Sequence, residues 1–298
     1  MKKKLLFRAA TIGAAAVLTA GTLMMFAGCS SNHPEITITY TFNGEDYEVD
    51  YQLSRTDAPN TVQHFIELAD AGFYDGLVVH NYANSRTRMY SGGYRLVDGE
   101  LVEVDYLSTV RNLEEEQGIT FTQSVWADEE CTEGTYTVYG EFTSNGVEQQ
   151  YGKELSATTG ALVMYYTDKG NFNGNVYVKR ADGGEDNDGQ EIQSVAYKYN
   201  SATSLFYTFT GDNFTESDSY CVFGMATNYE EQMTNGLLAA IEEYEAALDD
   251  DAAFLETQTN VRMNRYDYFR DVRSGDITED FEVPVEPIVI KSIVVTKY

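Results

Sequence analysis

The stretch from Asp57 to His80, DAPNTVQHFIELADAGFYDGLVVH, leaves the chain few ways to fold. Pro59 suits a first helical position, and Val62, Phe65, Ile66 and Ala69 fall at the i, i+3, i+4, i+7 spacing of one buried face, so a short amphipathic helix is expected. Gly72 should end it. Past the Tyr74, Asp75, Gly76 turn, Leu77, Val78 and Val79 read as a short strand that delivers His80 and Asn81 at its far end. Pattern alone allows nothing more specific than a helix packed beside a strand.

The regions around this stretch are rich in strands. From Glu35, Ile36, Ile38, Tyr40 and Phe42 alternate with Thr37, Thr39 and Thr41, and Gly44 then leads into a second strand through Val49 to Leu53. At the other end Pro284-Val285-Glu286-Pro287 introduces another strand, Ile288 to Val295. The 23 tyrosines suit half-wet strands.

Lys2, Lys3, Lys4 and Arg8 precede an apolar run from Ala9 to Phe26, which reads as a signal peptide, not a membrane span. Met25-Phe26-Ala27-Gly28-Cys29 looks like a bacterial lipoprotein cleavage site, with Cys29 as the acylated first residue; Phe26 stands where Leu is usual. Two acyl chains, each methylene contributing ~0.8 kcal/mol, suffice for stable anchoring. The expected location is extracytoplasmic, with the protein held to the cell membrane by the lipid on Cys29. The formal net charge is −28, and loss of the leader removes four cations and no acid. Such a chain avoids nucleic acid and anionic headgroups.

After lipidation only Cys131 and Cys221 remain, too few for a disulfide scaffold; one bridge between them is conceivable, but Cys221 lies in an apolar run and suits a small buried residue. His33, His64 and His80 are scattered, and there is no CxxC, so no metal-ligand cluster is visible. Asp182, Glu185, Asp186 and Asp188 offer hard oxygen ligands but lack EF-hand spacing, and a solvated turn is the better reading. Leu237, Leu238, Ile241, Tyr244 and Leu248 give a one-faced helix, and Asp249 to Asp251 should open a further helix through Phe254 and Leu255.

Ala58-Pro59-Asn60-Thr61-Val62 with Phe65, then Gly72-Phe73-Tyr74-Asp75-Gly76-Leu77 with His80, then Gly92-Gly93, resemble the cyclophilin family of peptidyl-prolyl isomerases. Further blocks follow in the family's order: Gly140-Glu141-Phe142 with Asn145-Gly146, Gly160 to Met164, Ser201 to Tyr207, and Val222-Phe223-Gly224. The resemblance covers about half the mature chain. It implies a mainly β fold, a closed antiparallel barrel with flanking helices, whose first and last strands are neighbours. The expected organisation is a signal peptide at 1–28, a tether at 29–34 and one domain at 35–298, with insertions at about 95–138, 167–199 and 228–282.

The resemblance also implies a reaction. Rotation about an X-Pro bond must break amide resonance against ~18–20 kcal/mol, and needs neither nucleophile, metal nor cofactor. In the family an arginine donates to the prolyl nitrogen as resonance is lost, beside an apolar pocket. The family reads Phe-His-Arg-Val where this chain reads Val79-His80-Asn81-Tyr82, so Asn81 stands at the arginine's place. Counting back from Gly92-Gly93, Ser91 falls at a glutamine, Met89 at a pocket methionine and Arg88 at a pocket phenylalanine, in a segment two residues longer than usual. Met164 is kept, Tyr165 replaces a small alanine, Leu205 a second glutamine and Tyr207 a pocket phenylalanine; Glu216 falls near a pocket leucine and Tyr220 at a His or Tyr position. Neutral Asn81 cannot give a charge-assisted bond, so activity should be weak or absent unless Arg86 or Arg88 swings inward. His80 should be a buried, hydrogen-bonded core residue. The implied partners are proline-containing or extended polypeptides, and the expected oligomeric state is a monomer. A non-catalytic peptide-binding barrel is the alternative, and glycan binding by the tyrosine-rich surface a weaker one.

Overall fold

The computed structural model describes residues 31–82, 86–145, 155–166, 175–179, 191–196, 202–211, 220–249, 253–262 and 278–298. The leader, Cys29, the Asp182 to Asp188 loop and Glu216 lie outside them. Residues Ser31 to Tyr298 make one compact unit. No helix among the described residues is long and apolar enough to cross a membrane.

The chain forms β1 (Glu35–Phe42) and β2 (Glu45–Leu53), then α1 (Pro59–Asp70). Four short strands follow, β3 (Asn81–Tyr82), β4 (Arg88–Ser91), β5 (Tyr94–Val97) and β6 (Glu100–Glu103), before α2 (Tyr106–Gln117) and β7 (Val125–Trp126). Then come β8 (Ala161–Met164), β9 (Asn175–Lys179), β10 (Ile192–Ala196), β11 (Phe206–Phe209) and β12 (Cys221–Ala226). A π-helical segment, Glu230–Leu238, runs into α3 (Ala239–Ala246), and β13 (Leu255–Arg262), β14 (Thr278–Pro284) and β15 (Val289–Lys297) finish the chain.

Eight strands form one curled sheet in the order β15-β1-β2-β12-β8-β11-β4-β3. The two terminal strands pair antiparallel, as the resemblance implies, Ile36 opposite Val295 and Ile38 opposite Ile293. Helix α1 plugs the hollow: Val62, Phe65, Ile66 and Ala69 are buried, and the Phe65 ring packs on Tyr74, Phe206 and Phe223 with centroids 5.0–5.3 Å apart. Its start is held by the buried Glu141 carboxylate, which accepts from the backbone N–H groups of Asn60 (3.0 Å) and Thr61 (2.8 Å). These are donors that a helix start leaves unpaired, so the charge takes the place of a cap. Burial nevertheless pushes the Glu141 pKa up.

The expected closed barrel is not what forms. The sheet is a curled half-barrel, and no ladder joins β15 to β3. The reason lies in residues 77–80, expected as a strand, whose backbone groups are shared among three neighbours. Leu77 O accepts from Ile290 (2.7 Å) and Val79 N donates to Ile288 (2.9 Å), but Val78 N donates to Tyr94 and His80 N to Tyr90. Only one bridge, Val78 to Val289, results. Beside this seam sits a second small core of Val78, Tyr94, Phe281 and Val283, contributed by the β5–β6 and β13–β14 hairpins.

The expected insertions are structured where described. The first two pair with each other: Val125 and Trp126 of β7 lie opposite Val178 and Tyr177 of β9. In the third, Asn228 and Gln232 cover the edge of β2, accepting from Asp50 N (2.9 Å) and Glu48 N (3.3 Å), which blunts an otherwise unpaired strand edge. The helix expected through Phe254 and Leu255 is instead strand β13. Phe254 packs on Phe42 and Tyr244, and the pairing of Leu255 with Pro284 outweighs the local helix signal. Cys131 and Cys221 are both free, Cys221 buried.

Candidate functional site

In an antiparallel ladder directly opposed residues share a face and successive residues alternate. Strand β4 therefore splits into two sets. Ser91 lies opposite Phe206 and Met89 opposite Thr208, facing the core, whereas Tyr90 lies opposite Tyr207 and Arg88 opposite Phe209 on the outer face. Asn81 pairs with Tyr90, and Tyr207 with Val163, so Asn81, Tyr90, Tyr207 and Val163 form one row across β3, β4, β11 and β8. Gly92 ends β4 at φ 96°, and a side chain there would run into the Ser204 carbonyl oxygen, so this close approach requires glycine.

The outer face carries its own apolar cluster: Leu155, Ala157, Ala161, Val163, Tyr207, Phe209 and Val222 are buried, with Tyr90, Tyr165, Tyr220 and Met225 half-covered around them. Tyr90 lies 4.8 Å from Tyr207 between centroids, tilted by 37°, and meets Tyr165 edge to face at 5.8 Å. Together they make an angled aromatic platform.

Arg88 reaches over this cluster. Its guanidinium carbon lies 5.1 Å from the Phe209 centroid, 5.5 Å from Tyr220 and 5.6 Å from Tyr207. Nη2 donates to the Tyr220 hydroxyl at 2.8 Å and Nη1 makes a long contact with Tyr90 Oη at 3.5 Å. Nε is buried with no hydrogen-bond partner. Burial works against the charge, but the Tyr90 hydroxyl and the surrounding phenols offset it and hold the pKa above the ordinary arginine value. The cation is fixed by ring faces and hydroxyls, an arrangement suited to a planar guanidinium.

The residues expected at the site separate accordingly. Tyr165, Tyr207, Tyr220 and Arg88 come together on the outer face. Met89, Ser91 and Met164 do not: they are 2%, 1% and 2% exposed and face inward, Met89 and Met164 within the main core. Met89 and Ser91 share the inner side of the strand and Arg88 and Tyr90 the outer, because one step along a strand reverses every side chain. Leu205 is buried just before β11, its carbonyl accepting from Tyr165 N at 3.0 Å.

Asn81 is on the outer face but engaged, its Oδ1 accepting from the Glu282 backbone N–H at 3.1 Å. Arg86 is drawn away entirely. Held at φ 63°, it forms two bonds to the Glu245 carboxylate, 2.6 and 2.7 Å, and lies over Phe254. His80 is buried against Tyr94 and Phe281, centroids 4.5 and 5.4 Å away. That burial lowers its pKa to about 3, so it is a neutral packing residue and no acid or base for chemistry at the surface.

Tyr90 and Phe209 were not among the expected residues. The available signal was alternation: Arg88-Met89-Tyr90-Ser91 places its cation and phenol on one side and its methionine on the other. No His, Cys, Asp and Glu cluster fit for a metal ion occurs among the described residues. The outer face thus brings together aromatic rings and one cation among the described residues.

The chain matches solved cyclophilin-type peptidyl-prolyl cis-trans isomerase structures from Cryptosporidium parvum at 13% identity, over 89% of this chain and 99% of theirs. The TM-score is 0.41 in one and 0.42 in another determined in the presence of the dipeptide Ala-Pro. A Mimivirus cyclophilin is 15% identical over 76% of this chain and 86% of its own, with TM-score 0.38. No curated protein matches the chain closely enough to count as a relative. The sequence model of the family described as cyclophilin type peptidyl-prolyl cis-trans isomerase/CLD matches residues 37–250, which takes in the curled sheet from β1 to β12, the plugging helix and the aromatic outer face. With most of the chain matched, the protein belongs to the cyclophilin-type peptidyl-prolyl cis-trans isomerase family.

Proposed function

We propose that this protein binds extended, proline-containing polypeptides against Tyr90, Tyr165 and Tyr220, which lie around buried Tyr207, turns their X-Pro bonds slowly, and thereby assists the folding of exported proteins while anchored outside the cytoplasm through lipid on Cys29. The observation that carries the binding part is the half-covered aromatic platform on the outer face of β4, β8 and β11, within the matched residues. A prolyl ring is apolar, rigid and short of donors, and aromatic faces bind it at little entropic cost. The leader and the small residues before Cys29 support the anchor.

Slow turnover follows from charge. Catalysis requires contacts that strengthen as the amide twists, and a cation aimed at the prolyl nitrogen is such a contact. Asn81 is neutral and its carboxamide oxygen is already committed to Glu282. A purely binding role is the second reading, favoured by that same bond.

The test is cis–trans exchange of a capped Ala-Ala-Pro-Phe peptide measured by NMR with micromolar mature protein. Exchange faster than the uncatalysed rate, yet ~10²-fold short of what a charged donor at position 81 would supply, is the expected result. Binding without acceleration would leave the second reading, and absence of binding would overturn both.

A further inference from the structure

We infer that Arg88 is a carboxylate-recognition subsite, so that the polypeptides taken by this face are those carrying an aspartate or glutamate within two residues of the proline. The inference rests on the reading that the aromatic platform receives the prolyl segment, and adds to it the chemical class of the neighbouring residue.

Arg88 stands apart from the ion-paired cations. In a chain with 48 acidic and 20 basic residues, Arg86 is paired to Glu245, Arg262 to Glu103, Lys291 to Asp46 and Lys297 to Glu35. Arg88, half-buried on the outer face, meets only hydroxyls and ring faces among the described residues. A guanidinium has five N–H donors. One is well used by Tyr220, one weakly by Tyr90, and Nε has no partner. Among the described residues the charge is thus held in place and meets no carboxylate.

A ligand carboxylate would complete it. Arginine and carboxylate can form two parallel charge-assisted bonds, each about twice as strong as a neutral one, and partial burial strengthens them further. The long Nη1 contact with Tyr90 is the bond most easily exchanged for such a partner. Spacing fixes where the carboxylate must lie. The guanidinium is held at the platform's side, Nη1 3.5 Å from Tyr90 Oη, and an extended ligand advances ~3.4 Å per residue. A prolyl ring on Tyr90 and Tyr165 therefore places a side chain one or two residues away beside the guanidinium.

The field of the whole protein points the other way. A formal charge of −28 repels acidic peptides at long range, so any preference for them must come from a local contact. The two effects separate with salt, because at 0.1 M the Debye length is ~10 Å and distant charges are screened while a half-buried pair is not.

The experiment uses the mature chain and four capped peptides, Ala-Glu-Pro-Phe-Ala and Ala-Ala-Pro-Phe-Glu with their glutamine counterparts, titrated by NMR or calorimetry at 0.15 M salt. At least one glutamate peptide is expected to bind ~10-fold more tightly than its glutamine twin. That ratio should fall to about one in Arg88→Gln, survive in part in Arg88→Lys, and persist at 0.5 M salt. Equal affinities of glutamate and glutamine peptides for the native protein, or a ratio unchanged in Arg88→Gln, would overturn this inference and leave prolyl binding standing. Failure of all four to bind would overturn both.

Discussion

Asn81→Arg is expected to raise kcat/KM for prolyl isomerisation ~10²-fold, the size of effect found when a single preorganised donor is gained or lost at a transition state. Position 81 shares the row of Tyr90 and Tyr207, so a longer side chain there extends over the platform where the prolyl ring is placed. The planar amide nitrogen is a poor acceptor and the twisted one a good one, so the added donor contributes mainly at the transition state and should raise kcat more than it lowers KM. The substitution has a cost. Asn81 Oδ1 accepts from the Glu282 N–H, and loss of that bond should destabilise the docked β13–β14 hairpin by ~1 kcal/mol. Asn81→Gln, longer but neutral, is the control and should gain nothing. An Asn81→Arg protein that folds and binds the peptide yet turns it over no faster than the native chain would show that the platform is no prolyl site.

Acidification should destabilise the protein before its carboxylates are protonated. Burial lowers the pKa of His64 to about 4, with the Glu67 carboxylate and the Thr203 carbonyl opposing the shift, and that of His80 to about 3. An unfolded histidine titrates near ~6.5, so below that pH the unfolded chain binds protons that the folded chain refuses. Stability is therefore fully present above ~6.5 and is lost as pH falls toward the folded values. Each histidine should cost ~2 kcal/mol between pH 7 and pH 5, ~4 kcal/mol together, a large share of a usual domain stability. His64 is well tied at neutral pH: its Nε2 donates to the Thr203 carbonyl at 2.9 Å, beside Tyr106 Oη, which donates to Tyr136 O. Urea unfolding at the two pH values reads the loss directly, and His64→Gln and His80→Gln should each remove about half of it. A midpoint independent of pH over this range would contradict the burial of these rings. Glu141, whose pKa burial raises, acts in the opposite direction, because the folded chain takes up that proton at a higher pH than the unfolded chain does.

Legibility followed the range of the interactions. The hairpin, α1 and the terminal strand show in the sequence because alternation and helical spacing are local and their faces are buried on one side, as Ile36, Ile38, Val62 and Phe65 show. The seam does not show, since the bonds of residues 77–80 depend on Ile288, Ile290, Tyr94 and Tyr90, three distant partners competing for one segment. Strand β13 is hidden for a similar reason: its pairing with β14 and the Phe254 packing override a helix-like start. At the site, Tyr165, Tyr207 and Tyr220, placed by motif spacing, come together on one face, while motif spacing alone does not say which way the side chains of β4 point. Parity decides everything there, and it sends Met89 and Ser91 inward and Arg88 and Tyr90 outward.

The central claim is that the outer face of β4, β8 and β11 is where polypeptide binds, and ring resonances of 13C-labelled tyrosine report on it directly. Titration of the mature protein with capped Ala-Ala-Pro-Phe should perturb Tyr90, Tyr165, Tyr207 and Tyr220 in one saturable step and leave Tyr177 of β9 unmoved. Perturbation centred on Tyr177, or no perturbation at peptide concentrations up to the millimolar range, would contradict it.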